Sequence, residues 1–235
     1  MEKITHKNNK VAIFGGTFDP FTLAHQAICK RVMDSFPIDT LYIIPTVVTY
    51  HRDEKDRWLT DKDRVRTMYF MMNELSERYS DKWKVDTHEL RLKTACEVNG
   101  VNSDIYDEII GQRRFINTLL DFKCRVGLEQ EIYLVLGTDS ANTFKTWHRW
   151  KDICANISSL VIIEGRDQKT YEPDPEISEA VNGNIYNLFL SDKEMLQISA
   201  TSIRNKFKGS SAADYWAELY SQIKSRKDLP ALEWL

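Results

Sequence analysis

The stretch VAIFGGTFDPFTLAHQAICK, which runs from Val11 to Lys30, decides the fold of this chain. Its apolar run Val11–Phe14 stops at two glycines, and a helical pattern begins near Thr22 after a short loop. Glycines at such a turn let the backbone come close to a ligand, and the N–H groups at the start of the next helix favour phosphate. Thr22 and His25 share one face of that first helical turn. The stretch therefore predicts a phosphate-binding unit of strand, loop and helix.

Each part of this stretch also has a purely structural interpretation. Two glycines after a strand can form an ordinary turn, Thr22 can cap the helix, and His25 can be a packed histidine. The P-loop pattern GxxxxGK[ST] and the dinucleotide pattern GxGxxG are both absent from the sequence. The order of strand, Gly-Gly, T-F-D-P and T-x-x-H favours phosphate binding, because a motif is informative only in its structural context.

Short apolar runs continue along the chain and alternate with helical patterns. Further strands are predicted at Leu41–Ile44, Lys84–Thr87, Ile132–Leu136, Leu160–Ile163 and Ile185–Leu190. Helices are predicted at Thr22–Ser35, Leu59–Tyr79, Arg113–Val126 and Asp214–Ser225. This alternation predicts an α/β fold with a doubly wound, mainly parallel sheet and helices on both faces. Ligands of such folds bind at the carboxyl ends of the strands.

Composition limits the function classes. The chain has 235 residues, 42% of them hydrophobic, and a net charge of −3, so we expect no nucleic-acid or membrane partner. No apolar run is long enough for a membrane span, no secretory leader pattern is present, and the four cysteines form no CxxC pair. These features predict a cytoplasmic protein with free thiols and leave a homo-oligomer open. His51, His88 and His148 lack metal-ligand spacing, so we expect no protein metal site.

A second motif, ISATSIR at Ile198–Arg204, follows the last predicted strand and opens a helix. Ser199 and Thr201 stand where a helix needs caps, and Arg204 carries a forked guanidinium that suits an anion. Alone, the motif is equally consistent with an anion-binding site and with a capped helix that carries a solvated arginine. Together with the first motif, it predicts a second phosphate clamp on the opposite side of the crevice.

These motifs resemble a known signature. GGTFDP at Gly15–Pro20, TLAH at Thr22–His25 and the late ISATSIR resemble the GGTFDP, [HT]xGH and ISSTxIR motifs of the nucleotidylyltransferase superfamily. LGTDSANTFKTWHRWKDI at Leu136–Ile153 resembles a stretch of the bacterial nicotinate-nucleotide adenylyltransferases, as does the segment that begins at His51. The resemblance implies a Rossmann-like domain over residues 1–208, with an insertion at about 94–110, and a C-terminal helical extension over 209–235 packed on the same domain.

The resemblance also implies a reaction: adenylyl transfer from ATP to nicotinate mononucleotide, which gives the dinucleotide and pyrophosphate in NAD biosynthesis. The phosphate of the acceptor attacks the α-phosphorus, so the protein need only position two anions and stabilise the charge that develops. Mg²⁺ is implied as a bridge between phosphate oxygens, without a dedicated protein cage.

The resemblance also implies roles for the residues of this sequence that occupy the positions of the family's motifs. His25, Thr22 and Arg204 are implied as catalytic, with His25 and Thr22 at the reacting phosphates and Arg204 on the triphosphate. The implied substrate-binding residues are Gly15, Gly16, Thr17, Phe18, Arg52, Thr118, Gly137, Asp139, Trp147, Arg166, Ser199 and Thr201. Among them, Gly137 and Asp139 are implied at the adenosine ribose and Trp147 on the pyridine ring.

Several alternatives stay open. Thr22 stands where the pyridine branch usually has histidine, so another acceptor remains open: nicotinamide mononucleotide, phosphopantetheine or a different one. Only Thr118 and Leu119 match the Y-T-x-x-T-L segment at the pyridine end. A non-catalytic nucleotide sensor is also open. Structural interpretations remain for several site residues: Trp147 as a packing aromatic, Asp139 as a cap of a helix beginning at Ser140, and Arg52 and Arg166 as surface charges.

Overall fold

A computed structural model describes residues 9–47, 58–100, 114–164, 171–190, 199–208 and 212–224. Its strands are β1 (Lys10–Gly16), β2 (Thr40–Pro45), β3 (Trp83–Val85), β4 (Glu131–Gly137), β5 (Ser159–Ile163) and β6 (Ile185–Leu188). They form one sheet in the order β3-β2-β1-β4-β5-β6, and every neighbouring pair is parallel.

Helices occupy both faces of this sheet. They are α1 (Leu23–Ser35), α2 (Asp61–Asn73), α3 (Ser76–Tyr79), α4 (His88–Val98), α5 (Phe115–Val126), α6 (Thr138–Asn142), α7 (Trp150–Ala155), α8 (Pro175–Ala180), α9 (Ala200–Lys206) and α10 (Ala212–Lys224). A 3-10 turn at Phe144–Thr146 lies between α6 and α7.

Two apolar cores flank the strands. On one face, Phe14, Ile43 and Val135 pack with residues of α1, α2 and α10. On the other face, the alternate strand residues Ile13 and Leu134 pack with α5, α7 and α8. Because both faces of each central strand are buried, the sequences of these strands are continuous apolar runs. The predicted doubly wound parallel sheet is confirmed.

The site for a ligand follows from the path of the chain. Strands β2 and β3 lie in turn on one side of β1. Strand β4 lies on the opposite side of β1 and begins the other half of the sheet. Two successive crossovers therefore diverge at the carboxyl ends of β1 and β4, where open α/β sheets hold their ligands. Phe14 pairs with Val135, so continuing the register places Gly16 beside Gly137.

One predicted helix boundary was wrong, and the structure describes part of the predicted insertion. The predicted helix Leu59–Tyr79 is two helices, because α2 ends at Asn73 and a turn precedes α3. The predicted insertion at 94–110 begins inside α4, where Leu90 and Cys96 are buried against Val47. Because the charged residues Glu89 and Lys93 are buried in α4 as well, the sequence shows little apolar periodicity there. Residues 101–110 lie outside the described part of the chain.

The C-terminal extension contributes to the main core. Tyr215 and Leu219 of α10 are buried in the same cluster as Phe14 of the first strand. The ring of Trp216 contacts Phe70 of α2 at a centroid distance of 5.9 Å. The helix therefore packs on the sheet domain, while residues 225–235 lie outside the described range. None of the helices described is both long and apolar enough to span a membrane.

Candidate active site

The start of α1 is a reciprocal cap between Thr22 and His25. The Thr22 hydroxyl oxygen accepts the backbone N–H of His25 at 3.4 Å, and His25 Nδ1 accepts the backbone N–H of Thr22 at 2.9 Å. Because a backbone N–H can only donate, Nδ1 carries no proton, and the neutral ring must hold its proton on Nε2. The cap thus fixes one tautomer, with a hydrogen-bond donor on the edge of the ring opposite the helix cap.

Three phenylalanines surround the His25 ring. The centroids of Phe18 and Phe21 each lie 5.2 Å from it, and that of Phe14 lies at 6.1 Å. Burial among these rings lowers the pKa of His25 from 6.5 to about 4. At neutral pH the side chain is therefore an uncharged donor of fixed orientation.

The turn before the cap depends on a glycine. Phe18 has a φ of 47°, in the left-handed region, and its side chain is buried. A Cβ on Gly16 would lie 2.8 Å from the Phe18 ring, so that position has no room for a side chain. At Gly15 a Cβ would meet the Phe115 ring at an ordinary 3.8 Å. Gly16 is thus required by the turn itself, whereas Gly15 leaves space at the end of β1.

Asp19 fixes the loop to the chain before α2. Its buried carboxylate accepts the backbone N–H groups of Trp58 at 3.0 Å and of Leu59 at 2.8 Å. The acidic residue of the GGTFDP motif is therefore part of the scaffold, since its oxygens are turned toward the protein backbone.

The two sequence motifs meet through Arg204. Its Nη1 donates to the Asp19 carbonyl oxygen at 2.5 Å, across 185 residues of sequence, and its Nη2 donates to the Thr201 hydroxyl at 2.8 Å. Ser199 caps α9 by accepting the backbone N–H of Ser202 at 3.0 Å. Arg204 therefore joins α9 to the Gly15–Pro20 loop, and the second phosphate clamp stays a prediction.

At the end of β4, Gly137 is the N-cap residue of α6 and nothing lies within 4 Å of where its Cβ would be. Asp139 is exposed in the first turn of α6. Since α6 begins at Thr138, the alternative that Asp139 caps a helix beginning at Ser140 is wrong. The Thr138 hydroxyl donates to the carbonyl of Ile163 at 3.0 Å and so joins this turn to β5.

Trp147 forms an aromatic corner with Phe115. Their ring centroids are 5.5 Å apart at an interplanar angle of 64°, and Phe144 supports Trp147 from a centroid distance of 5.4 Å. Both residues of the corner are partly exposed. The Phe115 ring also lies nearest to Gly15, so the corner stands beside the end of β1.

Thr118 lies one helical turn after Phe115 in α5. It is buried and donates to the Glu89 carboxylate, which also accepts the backbone N–H of Val47 at 3.3 Å. Its side chain therefore joins α5 to α4 in the packed interior. The predicted site residues Arg52 and Arg166 lie outside the described residues, as does Ile198 of the second motif.

Sequence reasoning missed Arg64, the largest fully buried side chain. Its guanidinium donates to the carbonyl oxygens of Thr17 at 2.5 Å and Thr46 at 3.1 Å, and to the Asp61 carboxylate at 2.7 Å. It thus ties the glycine loop to the end of β2. A signal was available, because Arg64 precedes Met68 by four residues and falls on the apolar stripe of α2.

No group of three or more His, Cys, Asp or Glu side chains that could hold a metal occurs within the described ranges. Mg²⁺ bound through substrate phosphates remains a prediction from the sequence.

Comparisons with known proteins agree with this geometry. The family model described as cytidylyltransferase-like matches residues 13–206, which is 194 of the 235 residues. The chain is 26% identical over 199 residues to a probable nicotinate-nucleotide adenylyltransferase of Fusobacterium nucleatum, covering 85% of this chain and 88% of the relative. A protein of the same name from Pectobacterium atrosepticum is 25% identical over 207 residues, covering 83% and 85%.

Solved structures show the same fold. A nicotinic acid mononucleotide adenylyltransferase of Plasmodium falciparum complexed with NaAD has a TM-score of 0.54 and 18% identity, with 88% of each chain covered. The same enzyme complexed with APC has a TM-score of 0.52 and 17% identity, again with 88% of each chain covered. The predicted Rossmann-like nucleotidylyltransferase fold is confirmed.

Proposed function

The chain belongs to the cytidylyltransferase-like family, and from this premise we propose that it transfers the adenylyl group of ATP to nicotinate mononucleotide. The products would be the dinucleotide and pyrophosphate, so the reaction is a step of NAD biosynthesis. The observation that carries the proposal is the meeting of a neutral His25 donor and the Arg204 helix at the divergence of β1 and β4. The names of the relatives support the choice of nucleotides.

The chemistry needs positioning more than it needs a protein nucleophile. A phosphate oxygen of the acceptor forms a bond to the α-phosphorus of ATP while the bond from that phosphorus to the bridging oxygen of pyrophosphate breaks. His25 Nε2–H would donate to a non-bridging oxygen of the reacting phosphate, where negative charge concentrates in the transition state. A neutral imidazole donates this hydrogen bond and keeps its proton, so the side chain acts as an electrostatic donor.

The remaining phosphate contacts divide between two helices. Thr22 positions His25, because its hydroxyl and its N–H both contact that residue, and it would meet the phosphates from the same turn. The start of α9, with Ser199, Thr201 and Arg204, would hold the rest of the triphosphate. Mg²⁺, bound through the substrate and not through a cluster of carboxylates, would supply charge neutralisation at the triphosphate.

The part of the site that would bind the mononucleotide substrate favours an aromatic anion. The corner of Phe115 and Trp147 offers one face and one edge to a flat pyridine ring. Helix α5 begins at this corner, and its first turn contains no acidic residue. The positive end of a helix favours a carboxylate, so nicotinate is the better fit than the uncharged nicotinamide.

Pyrophosphate release tests the proposal. Purified protein with ATP and Mg²⁺ should release pyrophosphate with nicotinate mononucleotide, and more slowly with nicotinamide mononucleotide. Phosphopantetheine as acceptor and CTP as donor cover the other branches of the superfamily. Activity only with phosphopantetheine would replace the proposed acceptor, and tight ATP binding without turnover on any acceptor would support a sensor.

A variant pair tests the role of His25. His25→Ala should lower turnover by roughly 10²–10³, the scale for losing one donor to a transition-state oxyanion. His88→Ala is the matched control, because His88 starts α4 and pairs with Asp121 at 3.2 Å. Turnover of His25→Ala within a factor of about three of the control would remove His25 from the mechanism.

A further inference from the structure

The peptide bond between Thr46 and Val47, just after β2, is held by two buried side chains of opposite charge. The Thr46 carbonyl oxygen accepts from Nη1 and Nη2 of Arg64, each at 3.1 Å, and the Val47 N–H donates to the Glu89 carboxylate at 3.3 Å. The carbonyl and the N–H of a trans peptide point in opposite directions and form the negative and positive ends of its dipole. Each charged side chain therefore meets the end of the dipole that attracts it.

Both charged side chains also reach a neighbouring part of the proposed site. Arg64 donates to the carbonyl oxygen of Thr17 in the glycine loop at 2.5 Å, and Glu89 accepts from the Thr118 hydroxyl of α5. Thr118 lies one helical turn after Phe115, whose ring belongs to the aromatic corner. A continuous series of contacts therefore runs from the glycine loop, through the peptide after β2, to the first turns of α5.

Helix α4 supplies two of the charges in this series of contacts. Glu89 and Lys93 lie one helical turn apart and are only 5% and 8% exposed. Lys93 donates to one oxygen of Asp61 at 3.2 Å, and the other oxygen of Asp61 accepts from Arg64 at 2.7 Å. Buried charges are costly unless they are paired, and a buried network whose groups are paired is rigid. The network is therefore suited to hold α2, α4 and α5 in one relative position.

We propose that Glu89 is a positioning residue for the acceptor substrate. Through Thr118 it fixes the first turns of α5, and with them the distance between the aromatic corner and the glycine loop. This inference rests on the proposed function, which places the pyridine ring at that corner. Thr118 is 6% exposed and donates to Glu89, so it acts on the substrate through α5 and not by direct contact. Loss of this contact displaces the corner, and small displacements of a binding group weaken productive binding strongly.

Initial rates of pyrophosphate release test this inference, with the acceptor substrates named above. Thr118→Val removes the hydroxyl, and Glu89→Met removes both carboxylate oxygens. Each should raise KM for the acceptor substrate roughly 3- to 30-fold, the range typical of residues that act on a site through their neighbours, while KM for ATP is unchanged. Thr118→Ser and Glu89→Gln keep a hydrogen-bonding group at each position, so they should recover most of the natural KM.

A matched control exists in α2. Thr67 is fully buried like Thr118, but its hydroxyl donates to the Arg64 carbonyl oxygen of its own helix at 2.6 Å. Thr67→Val therefore makes the same chemical change without touching the contact between α4 and α5, and both KM values should stay natural.

The double variant of Glu89→Met and Thr118→Val separates positioning from direct contact. If both residues act through one contact, then the double variant has no higher KM for the acceptor substrate than Glu89→Met alone. Increases that multiply would instead indicate a direct contact of Thr118 with the substrate and would overturn the inference. Thermal unfolding checks that each variant is folded, and Thr118→Val with its serine rescue carries the test if Glu89→Met is not.

The remaining outcomes distinguish this inference from the proposed function. A natural KM for the acceptor substrate in Thr118→Val would overturn the inference alone, because the reaction itself would still be observed. Equal increases of KM for ATP and for the acceptor substrate would overturn it too, since they would indicate a general loss of structure. No pyrophosphate release by the natural chain with any acceptor would overturn the proposed function, and this inference with it.

Discussion

Acidification should destabilise this protein through His25. The folded chain holds the pKa of this residue at about 4, against an ordinary value of 6.5. Between these two values the unfolded chain takes up a proton that the folded chain excludes, so the free energy of unfolding falls as the pH falls. The two pKa values differ by about 2.5, and 1.36 kcal/mol for each pH unit gives a full loss of about 3 kcal/mol well below pH 4. By pH 5 the same linkage gives a loss of about 2 kcal/mol.

Urea unfolding at pH 7 and pH 5 measures this contribution. His25→Gln is the matched variant, because it keeps a polar side chain but removes the group that titrates. The loss of unfolding free energy between the two pH values should be about 2 kcal/mol larger in the natural chain than in the variant. If the two proteins lose the same amount, then His25 is not held neutral by the cap and the surrounding rings.

The same state of His25 predicts the pH dependence of the activity. Since Nε2–H is present in the neutral ring, kcat/KM should show no loss from His25 between pH 7 and pH 5.5. Protonation near pH 4 would place a proton on Nδ1 and remove the acceptor for the backbone N–H of Thr22. A kinetic pKa near 6.5 that disappears in His25→Gln would refute the fixed tautomer.

Five further substitutions test the scaffold of the site and its aromatic corner. Arg64→Met should lower the free energy of unfolding in urea by about 3–5 kcal/mol, because it leaves buried acceptors without their donor, and Arg64→Lys should recover part of this loss. Gly16→Ala should cost about 1–3 kcal/mol, because its Cβ meets the Phe18 ring at 2.8 Å, whereas Gly137→Ala has open space and should stay within about 0.5 kcal/mol. Phe115→Thr should raise KM for nicotinate mononucleotide in initial-rate assays while KM for ATP is unchanged, and equal changes in both would contradict the aromatic corner.

The sheet could be predicted because each strand is recognisable from its own short stretch of sequence. Runs such as Ile132–Leu136 and Leu160–Ile163 are buried on both faces, so each run shows a strand without knowledge of its neighbours. The cap at Thr22 was similarly visible, since its partner His25 lies only three residues away. Helix α4 was missed because its contacts with Val47 come from a distant part of the chain and leave only a weak apolar pattern.

The sequence predicted which residues belong to the candidate site, but it did not predict which protein groups each of them contacts. The sequence indicated that Arg204 would face a phosphate, and no local pattern shows that it also donates to the carbonyl of Asp19, 185 residues away. The apolar stripe of α2 marks Arg64 as a buried position, but it does not show which groups Arg64 contacts, because two of its acceptors are backbone carbonyls, which every residue possesses. Thr118 matched a motif, yet its hydroxyl is directed at Glu89.

These contacts change what a mutation in the first motif would measure. The loop after β1 is held by Arg64 from α2 and by Arg204 from α9, while Asp19 binds the chain before α2. Substitution of Asp19 would therefore act first on folding, because two backbone N–H groups would lose their buried acceptor. His25 differs, since Nδ1 is used by the cap, whereas Nε2 lies outside the cap and would contact the proposed substrate. A substitution tests the proposed chemistry directly only where the side chain keeps a polar atom outside the scaffold contacts. In this motif His25 meets that condition through Nε2.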